Sequence, residues 1–137
     1  MGMVYANIEL SNQEDMSLHR RNFIGEDEIR KIEVNMLVDS GSVMLAINEE
    51  IQQALGVPTI EYRPSQVADG RRLTLPVAGP IFVRFEGRIC ITSAIVLPDD
   101  NEPLLGAIPM EEMDLWINPT RNILTFVHPE GPLMSLK

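Results

Sequence analysis

Asp39-Ser40-Gly41, set within Leu37-Val38-Asp39-Ser40-Gly41-Ser42, is the stretch of this chain best equipped for chemistry. Two apolar, strand-like residues deliver a carboxylate into a tight turn. Ser40 places a hydroxyl beside it, and Gly41 leaves the backbone bare, so that another chain can approach closely. A carboxylate that is buried and held at a strand end can serve as a general acid or base. The same residue types also close strands in Asx-type turns that have no further role. The tripeptide therefore needs a second signal before it carries a function.

That signal lies far downstream, in Pro103-Leu104-Leu105-Gly106-Ala107-Ile108-Pro109-Met110. Two apolar residues and a glycine lead directly into a short helix. Together the two stretches resemble the retropepsin-like aspartic proteases, in particular the small bacterial single-lobe kind. That family runs from an apolar strand through Asp-Thr/Ser-Gly and a flap hairpin to apolar-apolar-Gly and a helix. Here Val38-Asp39-Ser40-Gly41, a turn at Asp69-Gly70 and Leu104-Leu105-Gly106 follow in the same order, so the resemblance spans residues 32–125.

The resemblance implies a mechanism. An aspartic protease uses two carboxylates that share one proton, one accepting a proton from water and the other polarising the peptide carbonyl. This chain offers one such motif, so the resemblance implies a symmetric homodimer with Asp39 supplied by each subunit. Neither metal nor cofactor is needed. Ser40 stands where the family's Thr locks the two active-site loops together. Ser42 is placed to donate to an oxygen of Asp39, or else to bond its own backbone and shape the turn. Ala68-Asp69-Gly70 would form the flap tip over the substrate. Leu104, Leu105 and Gly106 would support the Asp39 loop from behind. Substrate, a peptide or protein segment, would lie extended between flap and floor.

Several elements must position these residues. Residues 3–10 alternate well enough for a strand. The polar run 11–22, with Ser11 and Asn12 as possible caps, fits either a loop or a short helix. In 29–38, Ile32, Val34, Met36 and Val38 share one face of a strand that ends at Asp39. Asn48 and Gly56 are good cap residues for a helix over 49–55, with Ile47, Ile51 and Leu55 forming its inner stripe. Asp69-Gly70 between extended flanks predicts a hairpin. Residues 81–85 and 88–97 predict a second hairpin around Glu86-Gly87. Pro109 suits the first turn of a helix that Asn118-Pro119 stops. A last strand covers 123–127, and a loose tail begins at His128. Trp116 reads as a packing anchor. Arg71 and Arg72 read as a solvated hairpin edge, and Asp99, Asp100 and Glu102 as a solvated turn. The sum is one mainly β domain over 1–137. Its expected form is a closed, retropepsin-like β-barrel with two short helices, one lobe per chain, and an N-terminal strand and lead-in over 1–30.

Composition agrees with that fold class. With 137 residues, 45% hydrophobic and 23% charged, the chain is globular and can bury roughly two-thirds of its unfolded surface. A net charge of −9 argues against nucleic acid and anionic membranes as partners. The lone cysteine, Cys90, sits in an apolar run and reads as a buried, inert thiol. It suits a reducing compartment. No stretch approaches a membrane span, no signal-peptide core is present, and Ala6 stands where myristoylation wants Ser or Thr, so a cytoplasmic location is expected. The main expectation is an aspartic endopeptidase. The alternatives are a non-catalytic peptide-binding or dimerisation module on the same scaffold, and an unrelated β domain whose Asp39 only caps a turn.

Overall fold

The computed structural model describes residues 2–98, 101–133 and 136. Asp99 and Asp100 lie outside the described residues, so the solvated turn expected there is not described. Nine strands and three short helices follow one another: β1 (Tyr5–Asn12), α1 (Gln13–Arg20), β2 (Lys31–Val38), β3 (Leu45–Asn48), α2 (Glu49–Leu55), β4 (Thr59–Gln66), β5 (Arg72–Phe85), β6 (Arg88–Leu97), β7 (Leu104–Leu105), α3 (Ala107–Glu112), β8 (Leu115–Asn118) and β9 (Ile123–Phe126). A single 3-10 turn, Glu26–Glu28, leads into β2.

Seven strands form one sheet in the order β1-β2-β7-β3-β6-β5-β4, and β1 also pairs with β5. The ring β1-β2-β7-β3-β6-β5 therefore closes on itself as a barrel, and β4 extends outward from β5. Alternation explains the closure. Ala6, Ile8 and Leu10 of β1 face Met36, Val34 and Ile32 of β2 in register, so both strands turn the same apolar face inward. Ile8, Leu10, Met36, Leu45, Ile47 and Leu105 are completely enclosed. Cys90 is buried too. That burial, with the Glu112 carboxylate nearby, pushes its thiol up to about 12, which makes it a poor nucleophile.

Helix α2 has the expected bounds. The Asn48 side chain accepts from the Ile51 amide at 2.9 Å, and Gly56 ends the helix in the left-handed region at φ 65°. Elsewhere the sequence expectations need correction. Among the described residues there are three helices rather than two, because 13–20 in the undecided polar run is α1. Asn12 is its cap, while Ser11 is a buried residue of β1. α1 is tied down by charge. Arg30 grips Asp15 with two guanidinium bonds of 2.8 and 3.0 Å and one backbone bond of 3.0 Å. This guanidinium holds the Asp15 carboxyl below its ordinary value, against the opposing effect of burial.

α3 begins two residues before Pro109 and ends at Glu112, well short of Asn118-Pro119. Asp114, at φ 57°, turns the chain, and Leu115–Asn118 becomes a strand paired with β9. Period-two alternation then points Trp116 outward at 45% exposure, so it is no packing anchor. The tail is held where it begins. His128 Nδ1–H donates to the Asp114 carboxylate at 2.6 Å, and buried Arg88 donates to the His128 carbonyl. The two expected hairpins share one continuous strand, β5, fourteen residues long. Among the described residues no helix is long and apolar enough to cross a membrane.

Candidate active site

The site begins where β2 runs out. Leu37 and Val38 pair in parallel with Leu104 and Leu105, and the Asp39 amide continues that ladder by donating to the Leu105 carbonyl at 3.0 Å. β7 therefore sets the height at which the chain leaves the sheet. The turn follows at once. The Ser42 amide donates to the Asp39 carbonyl at 3.0 Å, and the Gly41 amide donates to Asp39 Oδ1 at 2.9 Å. An Asx-type turn and a functional carboxylate are thus not rival descriptions here, since the turn is what aims the carboxylate. Among the described residues Oδ2 takes no hydrogen bond, which leaves it available.

Asp39 is half-buried rather than buried, and Ser40 and Gly41 are exposed. The loop rims an open cleft in this single chain, so water reaches it. Gly41 sits at close quarters: a Cβ there would stand 3.2 Å from Asp39 Oδ1, so the carboxylate would have to shift by a few tenths of an ångström. The Ser42 hydroxyl donates to the Met44 carbonyl at 3.2 Å and not to Asp39. It shapes the loop and leaves the carboxylate alone.

Behind the loop lies Gly106. The Ala107 amide donates to the Ser42 carbonyl at 2.7 Å and the Ile108 amide to the Val43 carbonyl at 2.9 Å. To make those bonds the backbone must pass so close that a Cβ on Gly106 would lie 2.7 Å from the Ser42 carbonyl oxygen, and closer still to that of Met44. The close approach, not an unusual φ, is what requires glycine. Leu105 is enclosed in the core, whereas Leu104 also lines the cleft, a contact beyond the packing role expected of it.

Above the loop stands the hairpin of β4 and β5. Val67 and Arg71 close its turn with a backbone bond of 2.9 Å, and Gly70 takes φ 89°. Ala68 faces the cleft. Asp69 and Gly70 sit exposed at the tip, where Asp69 accepts from the Arg71 amide at 3.0 Å and from its guanidinium at 2.6 Å. These bonds, the amide's first, hold the Asp69 carboxyl below its usual value. Arg71 thus binds its own hairpin edge.

Between hairpin and loop the cleft encloses about 540 Å³. Its rim holds Asp39, Gly41 and Ser42 below and Arg63 to Ala68 above, and its floor is apolar, from Ala46, Leu75, Ile95 and Leu97. The floor residues and Arg63 were not foreseen. Alternation marks which way each points along its strand, but only the tertiary pairing of β5 with β6 sets them beneath Asp39. Among the described residues no group of three or more metal-ligating side chains gathers.

No family model and no curated protein matches this chain. Among solved structures it is similar to the retroviral protease-like domain of Ddi1 from Leishmania major. The TM-score is 0.57 and the identity 18%, over 93% of this chain and 90% of that one. A likeness at that identity establishes the fold: mainly β and retropepsin-like.

Proposed function

From a retropepsin-like fold that places Asp39 on the rim of an open cleft, we propose that this chain is an aspartic endopeptidase of the small single-lobe kind known from bacteria. It would act as a homodimer in the cytoplasm, the compartment that suits its single, reduced cysteine. One observation carries the reading. The Asp39 carboxylate is oriented by the Gly41 amide through one oxygen, is available at the other, and lies between a hairpin and an apolar floor deep enough for a peptide.

A symmetric partner supplies the second carboxylate. Two such groups about 3 Å apart cannot both ionise, so the pair holds one proton and a water between them. The charged Asp39 takes a proton from that water as it attacks the peptide carbonyl. The protonated Asp39 donates to the carbonyl oxygen; as the C–N bond breaks, the Asp39 that took the water's proton gives it to the leaving amine, and the other recovers its proton as the carbonyl re-forms. The exposure of Asp39 in the single chain fits a site that its partner completes. So do the apolar side chains around the loop: Val43 is 65% exposed, Ile108 40% and Met3 72%. Apolar groups gathered at a loop rim mark a surface that gains by being covered.

The decisive experiment is digestion of an unstructured protein substrate from acid to neutral pH, with and without a pepstatin-type inhibitor. Inhibitable cleavage supports the enzyme. Peptide binding by a dimer without cleavage assigns the scaffold to the non-catalytic alternative. The dimer has its own check. Sedimentation should give twice 15.4 kDa at working concentration. Specific activity should fall on dilution in step with dissociation, as mass action requires. Full activity from a demonstrated monomer would rule out the shared dyad.

A further inference from the structure

Among the described residues Arg63 is the one cationic residue that lines the cleft, and Asp39 the one anionic residue. Arg63 stands on β4 opposite Leu75, a residue of the cleft floor. It reaches across the cleft, with Nη1 at 3.5 Å from Met44 Sδ on the Asp39 loop and Nη2 at 3.3 Å from Glu61 Oε2. Both partners are weak. A thioether is a poor acceptor, and a single long bond between half-exposed charges contributes little. The planar fork of the guanidinium, which matches a carboxylate with two parallel bonds, is therefore left without a matching acceptor.

We propose that Arg63 is a specificity residue that selects peptides carrying Glu or Asp at the position under β4, next to an apolar side chain seated on the floor. The proposal rests on the reading of this cleft as a peptide site. A covering peptide excludes water from the guanidinium, and the side-chain carboxylate displaces Met44 Sδ to give Arg63 the two-bond acceptor it lacks. In a symmetric dimer the same residue recurs on the other side of the two-fold axis. The preferred substrate then carries an acidic residue on each side of the scissile bond. This inverts what the net charge of the chain suggests, since an acidic protein would admit acidic peptides through one local cation.

The test uses the Asp39→Asn chain, so that bound peptides stay intact, and fluorescein-labelled apolar peptides in which one Glu, or one Gln, is moved through each position. Fluorescence anisotropy reads the affinity. At one position Glu should bind about tenfold tighter than Gln, with the margin shrinking at high salt. The Glu/Gln ratio should fall to near one in Arg63→Gln, drop below one in Arg63→Glu and survive in part in Arg63→Lys. Thermal melting confirms that each variant is folded. Equal binding of Glu and Gln peptides at every position, or a preference that persists in Arg63→Gln, overturns the role of Arg63 and leaves the peptide site standing. Failure of every peptide to bind removes the peptide site itself, and this role with it.

Discussion

Asp39→Asn is expected to lower kcat/KM for peptide cleavage by about a thousandfold or more while the chain folds normally. In the proposed dyad each Asp39 would carry either the general base or the general acid role, each worth about 10²–10⁴ in rate, and the amide can fill neither. The fold should hardly notice. Asn presents the same carbonyl oxygen to the Gly41 amide, and the residue is half-exposed. The melting temperature should stay within a few degrees of the parent, because the change leaves the turn's hydrogen bond in place. Association of the proposed dimer should hold, since a pair of Asn side chains can still exchange a hydrogen bond where the acid pair would share a proton. Cleavage by the purified Asn variant at a rate near that of the parent would eliminate the carboxylate mechanism.

Gly106→Ala should combine a large loss of stability with a large loss of activity. The new methyl meets the carbonyl oxygens of Ser42 and Met44, which are backbone atoms and cannot swing aside. Overpacking of this kind costs about 1–3 kcal/mol, and for a chain of this length that is a fall in Tm of about 3–10 °C. The strain is relieved only by moving the loop that holds Asp39, and a displacement of about 1 Å at a catalytic group can cost about a hundredfold. Gly87→Ala is the control. Gly87 sits at φ 88° with open space around it, far along the β5–β6 turn. It should lose about 1 kcal/mol to its backbone conformation and nothing in activity per folded molecule. Equal activity per folded molecule in the two variants would mean that Gly106 does not position the loop.

What the sequence could disclose followed the range of the interactions involved. β2, with its inward Val34, Met36 and Val38, and α2, with Asn48 and Gly56 at its ends, are specified by residues within a few positions of one another, and both were legible. α1 was not, because it buries a carboxylate rather than an apolar stripe, and the Arg30 that holds Asp15 lies fifteen residues away. β8 was hidden by Asp114, whose left-handed turn ends α3 where nothing apolar changes. At the site, the turn at Asp39 could be read from three residues. The direction of the Ser42 hydroxyl could not, since two acceptors lay within its reach and only folded geometry chooses Met44. The cleft floor and Arg63 depend on which strands become neighbours, and that information is spread over the whole barrel.

β5 is one beam with two kinds of support. Its far half, from Ile81 to Phe85, is clamped on both edges by β1 and β6. Its near part, from Arg72 to Pro76, is edged by β4 alone, a strand with no buried residue of its own. The fulcrum runs from Val77 to the irregularity before Ile81, where Val77 and Ala78 pair with Ile95 and Ala94, the Gly79 amide donates to the Pro58 carbonyl and the glycine packs against Ser93. Such an overhang is expected to open by elastic bending along its length and not by rotation about a loose joint. In the proposed peptide site the cleft height would then vary continuously, so that peptides of different bulk would be admitted by degrees. Amide exchange should record this as a gradient, fastest near Arg72, slower toward Val77 and slowest beyond Ile81. A bound peptide should flatten the gradient from the tip inward, whereas a hinged lid would show one uniform rate for the whole hairpin.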